Sequence, residues 1–302
     1  MSDAAASTRT ALITGTSTGI GRATAETLLS QGHTVYATMR DPEGRNARAA
    51  SELESFARAQ PGTVRVADLD VTSQASADAA VQRVIDEAGR LDAVVHNAGH
   101  LFVGYTEAFT EDDLTHLLDV NAVGAHRVNR AALPHLRAQR FGTLLYVGST
   151  ILVTTPPFLG PYVASKAAFD ALAVVTSYEV SQFGIETSIV MPGAITQGTN
   201  HFPGASHASD TAVTTQYADL DALVARTDEA HDGLFDPEHP ADPQSVADEV
   251  ARILALPAGR KPFRSVVDAA QAGVDHVMAF SDLTREAFVR RLGFGETLEL
   301  KR

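Results

Sequence analysis

The chain is 302 residues long, enough for one large α/β domain or two small ones with a substantial core. Acidic residues outnumber basic ones 37 to 24, and the resulting −13 repels nucleic acid and anionic membrane, with no basic cluster to offset it. The absence of cysteine removes disulfides, thiol catalysis and cysteine–metal sites.

The opening MSDAAASTRT lacks the apolar core of an export signal, and no run of about 18 apolar residues follows, so the expectation is a soluble, cytoplasmic protein. Arg9 to Thr14 (RTALIT) is a short apolar run read as a buried strand. It leads into Gly15-Thr16-Ser17-Thr18-Gly19-Ile20-Gly21 and, after Arg22, a helix closed by Gly32. Strand, glycine-rich turn and helix is the context of a phosphate-binding loop. Glycines let backbone N–H groups approach a pyrophosphate, and the helix N-terminus favours its charge. An ordinary tight turn is the plainer alternative.

His33 to Arg40 (HTVYATMR) is the second strand. Sheets that bind NAD place an acidic residue at this strand's end to hold the ribose hydroxyls. Met39 stands there instead and Arg40 follows, so a 2′-phosphate meets no carboxylate and gains a charge-assisted donor. Ser17 and Thr18 in the facing loop could add hydroxyls. Asp41 competes, because a one-residue slip would bring a carboxylate to the ribose; Arg40 could also simply pair with Asp41 or Glu43.

Pro42 to Gln60 reads as a helix, Val64 to Val71 as a third strand, Ser73 to Ala88 as a helix and Leu91 to His96 as a fourth strand leading into Asn97-Ala98-Gly99. Such alternation signals a doubly wound parallel sheet of Rossmann type in a single domain over residues 1–302. Ligands bind beyond the strand C-termini, where Gly15, Arg40, Asp70 and Asn97 fall. A long helical segment runs from Glu111 to Arg140, with a kink or join expected at Pro134. Asn121 lies inside it among apolar neighbours, either as a packing amide or as a functional one.

Gly142 to Gly148 is the next strand, delivering Ser149 at its end, and Tyr162 to Phe183 is a helix. Tyr162 and Lys166 are four apart and share a helix face. A free phenol titrates at about 10. A neighbouring cation lowers that value, making Tyr162 a candidate acid/base, with Ser149 able to hydrogen-bond the same substrate oxygen.

Glu186 to Met191 is a strand running into Pro192-Gly193. From Gln197 to Pro240 the chain is rich in His, Asp, Thr and Pro, with a helix expected over Asp210 to Ala230; its place and length suggest a substrate lid. Asp242 to Leu256 is an amphipathic helix, Phe263 to Val267 a last strand, and the tail to Phe294 is helical. His201, His207, His231 and His239 show no helical i, i+4 pairing, and His96 and His100 flank a turn, so no metal site is expected. His100 to Tyr105 and Ile151 to Leu159 are candidates for the pocket wall, and Phe102, Ile151, Leu152, Phe158 and Phe202 suggest an apolar substrate body.

The items Thr14-Gly15-x-x-x-Gly19-Ile20-Gly21, Asp70-Val71, Asn97-Ala98-Gly99, Asn121, Ser149, Tyr162-x-x-x-Lys166 and Pro192-Gly193 follow one another in this order. Together they resemble the short-chain dehydrogenase/reductase family over roughly residues 8 to 195. VYATMRD and LDVNAVG are most similar to its branch of 17β-hydroxysteroid dehydrogenases and carbonyl reductases. The resemblance implies an NADP(H)-dependent oxidoreductase interconverting a ketone or aldehyde and an alcohol. It makes Tyr162 the acid/base, Ser149 the group polarising the carbonyl, Lys166 the residue lowering the tyrosine pKa and binding the nicotinamide ribose, and Asn121 the link from Lys166 to solvent. It implies that Asp70 and Val71 lie at the adenine, Asn97, Ala98 and Gly99 along the cofactor, and Pro192, Gly193, Ile195 and Thr196 near the nicotinamide. It also implies a homodimer or homotetramer built on the helices at Glu111–Arg140 and Tyr162–Phe183. Two departures stand out. His96 replaces the family's usual asparagine, and both Thr196 and Thr199 compete for the threonine after Pro-Gly. A lyase or epimerase using the same Tyr-Lys pair, and a non-catalytic NADP(H)-sensing protein, are the alternative readings.

Overall fold

Short β-branched and apolar runs separated by alanine-rich helices leave every strand parallel to its neighbours, since each return path is a crossover helix. A computed structural model describes residues 8–195, 198–199, 204–226 and 241–301. The main sheet contains β1 (Thr10–Thr14), β2 (Thr34–Met39), β3 (Thr63–Asp68), β4 (Ala93–His96), β6 (Gly142–Val147), β7 (Ile185–Pro192) and β9 (Arg264–Val267), in the order β3-β2-β1-β4-β6-β7-β9. All residues of β1, β4 and β6 are buried, as expected of strands covered on both faces. β5 (Phe102–Val103) and β8 (Ser206–His207) form a separate two-stranded parallel pair.

α1 (Gly19–Ser30), α2 (Ala47–Ala57) and the helix Pro243–Ala255 pack on one face. Their core includes Leu28, Leu53, Val246 and Ile253. α3 (Gln74–Ala88), α5 (Gly124–Gln139), α7 (Gly160–Ser181) and the helix Val274–Arg291 cover the other, around Val81, Leu136, Phe169 and Met278. Capping fixes several starts: Ser73 accepts from the Ser76 N–H, and Asp242 from that of Gln244. Arg264 of β9 is nearly buried and bridges Asp170 of α7, at 2.8 Å, to Asp282 of the terminal helix, at 3.2 Å.

Three expectations shift. The helix expected from Pro42 begins only at Ala47, because Asp41 organises a turn. Its carbonyl accepts from Gly44 and Asn46, and its carboxylate accepts from the Arg45 N–H at 2.8 Å. The segment Glu111–Arg140 is interrupted not at Pro134, which sits on the exposed side of α5, but at a π turn over Asp119–Val123 following α4 (Glu111–Leu118). The helix expected over Asp210–Ala230 divides into Thr211–Gln216, a 3-10 turn and Asp221–Val224, since the Tyr217 carbonyl accepts from Leu220. Residues 227–230 lie outside the described residues.

Candidate active site

The sheet order reverses between β2 and β4 on either side of β1, which opens a crevice at the strand C-termini. Thr14 ends β1 and Asn97 follows β4, and the two close the crevice floor. Thr14 Oγ1 accepts from the Asn97 and Ala98 N–H groups at 2.9 and 3.0 Å, and Asn97 Nδ2 donates to the Thr14 and Gly15 carbonyls at 2.9 and 3.0 Å. Gly15 has φ 72°, and a Cβ there would lie 2.9 Å from Ala98 Cα. Asn97 is therefore a brace for the glycine-rich turn.

Above this floor lies a cavity of about 770 Å³. At one end the N-terminus of α1 faces it through Thr18, Gly19 and Ile20, with Gly15 and Ser17 beside them. Thr18 makes no side-chain cap, so the first N–H groups of the helix are not satisfied by it. Gly21 does not line the cavity. A Cβ on it would stand 2.2 Å from the Gly15 carbonyl oxygen, so it lets α1 pack beneath the turn.

Arg40 lines the cavity's outer end, and Arg45 and Asn46 line it too, which the sequence did not suggest. The Asp41 carboxylate is occupied by the turn, with φ 48°, and does not line the cavity. Asp70 and Val71 face the same end. Burial pushes the Asp70 carboxyl up, but the Thr72 N–H and hydroxyl at 2.9 and 2.8 Å, with the Arg40 and Arg127 cations, hold it below its ordinary value.

The other end collects Ser149, Tyr162, Lys166, Pro192, Gly193 and Ile195, together with Ala98 and Gly99. Ser149 leaves β6, and its Oγ accepts from the Ile151 N–H at 3.2 Å. Lys166 Nζ donates to the Val147 and Gly148 carbonyls at 3.2 and 3.3 Å and sits 5.3 Å from the Phe169 ring centroid. Burial lowers its pKa to about 8. Burial raises the Tyr162 phenol above its ordinary value.

Asn121 sits on the π turn rather than in the cavity wall. Its Oδ1 accepts from the His100 N–H at 2.7 Å, and its Nδ2 donates to the His100 carbonyl and to Ser165 Oγ, both at 2.9 Å. His96 is a packing residue, stacked on Tyr146 at 4.6 Å with Nε2 2.8 Å from Asn129 Oδ1; burial lowers its pKa to about 4.

Ile151 and Leu159 line the cavity, as do His100, Leu101 and His116, while Phe102, Leu152 and Phe158 face elsewhere. Thr199 lines it against Gly19; Thr196, Phe202, His201, His231 and His239 lie outside the described residues. Among the described residues no three His, Cys, Asp or Glu side chains converge as a metal site, and no helix is long and apolar enough to cross a membrane.

The family profile described as short chain dehydrogenase matches residues 9–207. The chain belongs to this family. As a short-chain dehydrogenase it is 35% identical over 187 residues to the 3-ketodihydrosphingosine reductase of Bacteroides thetaiotaomicron, across 62% of this chain and 64% of that one. It is 38% identical over 189 residues to 17-beta-hydroxysteroid dehydrogenase type 1 of Homo sapiens, across 61% of this chain and 56% of the human one. The aligned stretch thus spans less than two thirds of these relatives. A crystal structure of a short-chain dehydrogenase from Streptomyces avermitilis superposes with a TM-score of 0.71 at 28% identity, over 96% of this chain and 99% of that one. The family fold therefore extends past residue 207 through β9 and the terminal helix.

Proposed function

We propose that this short-chain dehydrogenase interconverts a ketone or aldehyde with an alcohol, using NADP(H) as hydride carrier. The observation that carries the proposal is one cavity holding Ser149, Tyr162 and Lys166 at one end and an uncapped helix N-terminus with Arg40 and Arg45 at the other. The second end suits an extended polyanion. Helix N–H groups and glycines take a pyrophosphate, the two guanidiniums take a further phosphate, and the carboxylate of Asp41, which follows Arg40, is turned into its own loop.

In the reductive direction the carbonyl carbon accepts a hydride supplied by the reduced nicotinamide. Ser149 Oγ and the Tyr162 hydroxyl hydrogen-bond the carbonyl oxygen, and Tyr162 gives its proton as charge develops there. The tyrosinate left behind is costly in a buried site, so Lys166 matters at that moment. Two of its three N–H donors are held by the Val147 and Gly148 carbonyls, leaving one for the phenolate or a ribose hydroxyl. Asn121 holds the His100 main chain beside this group and acts as a positioning residue. The mostly apolar wall of Leu101, Ile151, Pro156 and Leu159 fits a substrate with an apolar body.

The decisive experiment follows nicotinamide absorbance against a panel of ketones, aldehydes and alcohols with both cofactors. Turnover with NADPH and a carbonyl is the expected result. Tyr162→Phe should lose about 10² to 10⁴ in rate and keep cofactor binding; substantial residual turnover would remove Tyr162 from the reaction. A homodimer or homotetramer on α5 and α7 belongs to the same proposal, supported by the exposed Val123, Leu172 and Val175.

A further inference from the structure

The hydrogen bonds around Asn121 continue outward, away from the catalytic helix. His100 is bound to Asn121 by both its backbone N–H and its carbonyl, at 2.7 and 2.9 Å, which leaves its ring free for another task. That ring reaches across to β8, with Nε2 2.9 Å from Ser206 Oγ, while the Ser206 N–H donates to the Leu101 carbonyl at 2.9 Å. On the inner side, Asn121 Nδ2 donates to Ser165 Oγ at 2.9 Å, and Ser165 Oγ donates to the Tyr162 carbonyl at 2.8 Å. Five residues thus form an unbroken chain from Ser206 to the backbone of Tyr162. Asn121 and Ser165 are buried, at 2% and 0% exposure, so water does not compete for these bonds.

Ser206 belongs to the segment 204–226, which meets the cavity through Gly204. The segment is also fastened to residues 105–113. Ser209 donates to Asp113 Oδ2 from its N–H at 3.1 Å and its hydroxyl at 2.7 Å. Tyr217 stacks on Tyr105 at 4.4 Å and donates to Glu107 Oε2 at 2.6 Å. The β5–β8 pair itself is only two residues long on each side, too short to set the segment's position alone.

We propose that His100 is a positioning residue that couples the segment 204–226 to Tyr162, its ring holding Ser206 and its main chain holding the Asn121–Ser165 relay. A substrate that presses on the cavity mouth moves Ser206, and the ring passes the displacement to the turn that Asn121 grips. The displacement ends at the carbonyl of the residue whose hydroxyl must meet the substrate oxygen. Small errors of this kind are expensive, since about 1 Å of misplacement can cost on the order of 10²-fold in rate. His100 shares its surroundings with His116, whose ring centroid is 6.2 Å away, and with the Arg40 cation. A neutral imidazole is what this setting favours, because burial first, then His116 and Arg40, push its pKa down.

The test uses the full chain and four variants: Ser206→Ala, His100→Ala, the double variant, and His100→Gln, whose amide nitrogen can reach where Nε2 stands. Hydrogen exchange of the cofactor-free protein is read at residues 118–124 and 160–168. Ser206→Ala, which touches neither segment, should speed exchange in both by at least about threefold. His100→Ala should match it, the double variant should add nothing further, and His100→Gln should restore protection. Unchanged exchange in Ser206→Ala, or additive single effects, would overturn the coupling. A second readout rests on the carbonyl-reductase reading: kcat should fall about tenfold in Ser206→Ala with NADPH affinity retained and with recovery in His100→Gln. A fall confined to KM or to thermal stability would also overturn the proposal. Absence of turnover in the unmodified protein defeats only the reaction assigned above, and the exchange result then decides the coupling by itself.

Discussion

His96 and Lys166 are both buried, and burial disfavours the cation at each, yet the consequences differ. Lys166 falls from its ordinary 10.5 to about 8, and His96 from its ordinary 6.5 to about 4. The unfolded chain binds a proton at His96 near its ordinary 6.5 while the folded chain does not until about 4. The contribution is therefore complete above pH 6.5 and is lost as the pH falls toward 4, amounting to roughly 3 kcal/mol at the acid end. Denaturant midpoints measured from pH 7 to 4 should show this slope, and His96→Asn should flatten it. At the cofactor end, Arg40→Ala should weaken NADP(H) by about ten- to hundredfold, the value of a lost charged hydrogen bond of about 1.5–3 kcal/mol. Arg45→Ala should act in the same direction, and NAD(H) should change much less in both. Titration calorimetry with the two cofactors separates these outcomes; an equal loss for both cofactors would show that the guanidiniums do not read the 2′-phosphate.

Elements explain which of these features the sequence announces. β1, β4 and β6 are short apolar runs closed by glycine or asparagine, and that pattern is local, so RTALIT and GTLLYV can be read without knowing their neighbours. The glycine-rich turn, Asn97-Ala98-Gly99 and Tyr162 with Lys166 follow from the same local grammar. What stays hidden depends on bonds between distant residues. The π turn at Asp119–Val123 carries the amide bonded to His100, 21 positions away, and β5 meets β8 across a hundred residues. Arg45 reaches the cavity only because Asp41 bends the chain back, and a helix begun at Pro42 would have hidden it. Gly21 is legible as a motif but not in its role. Gly21→Ala forces a methyl to within 2.2 Å of the Gly15 oxygen. The variant should lose about 1–3 kcal/mol of stability and bind both nicotinamide cofactors poorly, which thermal melts with and without NADPH would record.

At the scale of the molecule, two helices among the described residues expose apolar side chains: α7 with Leu172 and Val175 at 44% and 53% exposure, and the terminal helix with Phe280 and Leu283 at 73% and 68%. Assembly on α5 and α7 predicts that Val175→Asp yields monomers by light scattering at micromolar concentration while Phe280→Asp keeps the oligomer. The reverse pattern would move the interface to the terminal helix. A different consequence follows from the last strand. β9 completes the sheet by pairing with β7, and the Phe263 and Val267 carbonyls accept the Ile189 and Gly193 N–H groups at 2.8 Å each. During synthesis at about 5–20 residues per second, the interval between finishing Pro192 and reaching Arg264 is roughly 4–14 s. For that time the outer edge of β7 has no partner in its own chain, and a bare edge is a template for another chain. A chain stopped after Leu256 should accordingly sediment where the full chain stays dispersed, and slower translation between β7 and β9 should lower the yield of folded protein.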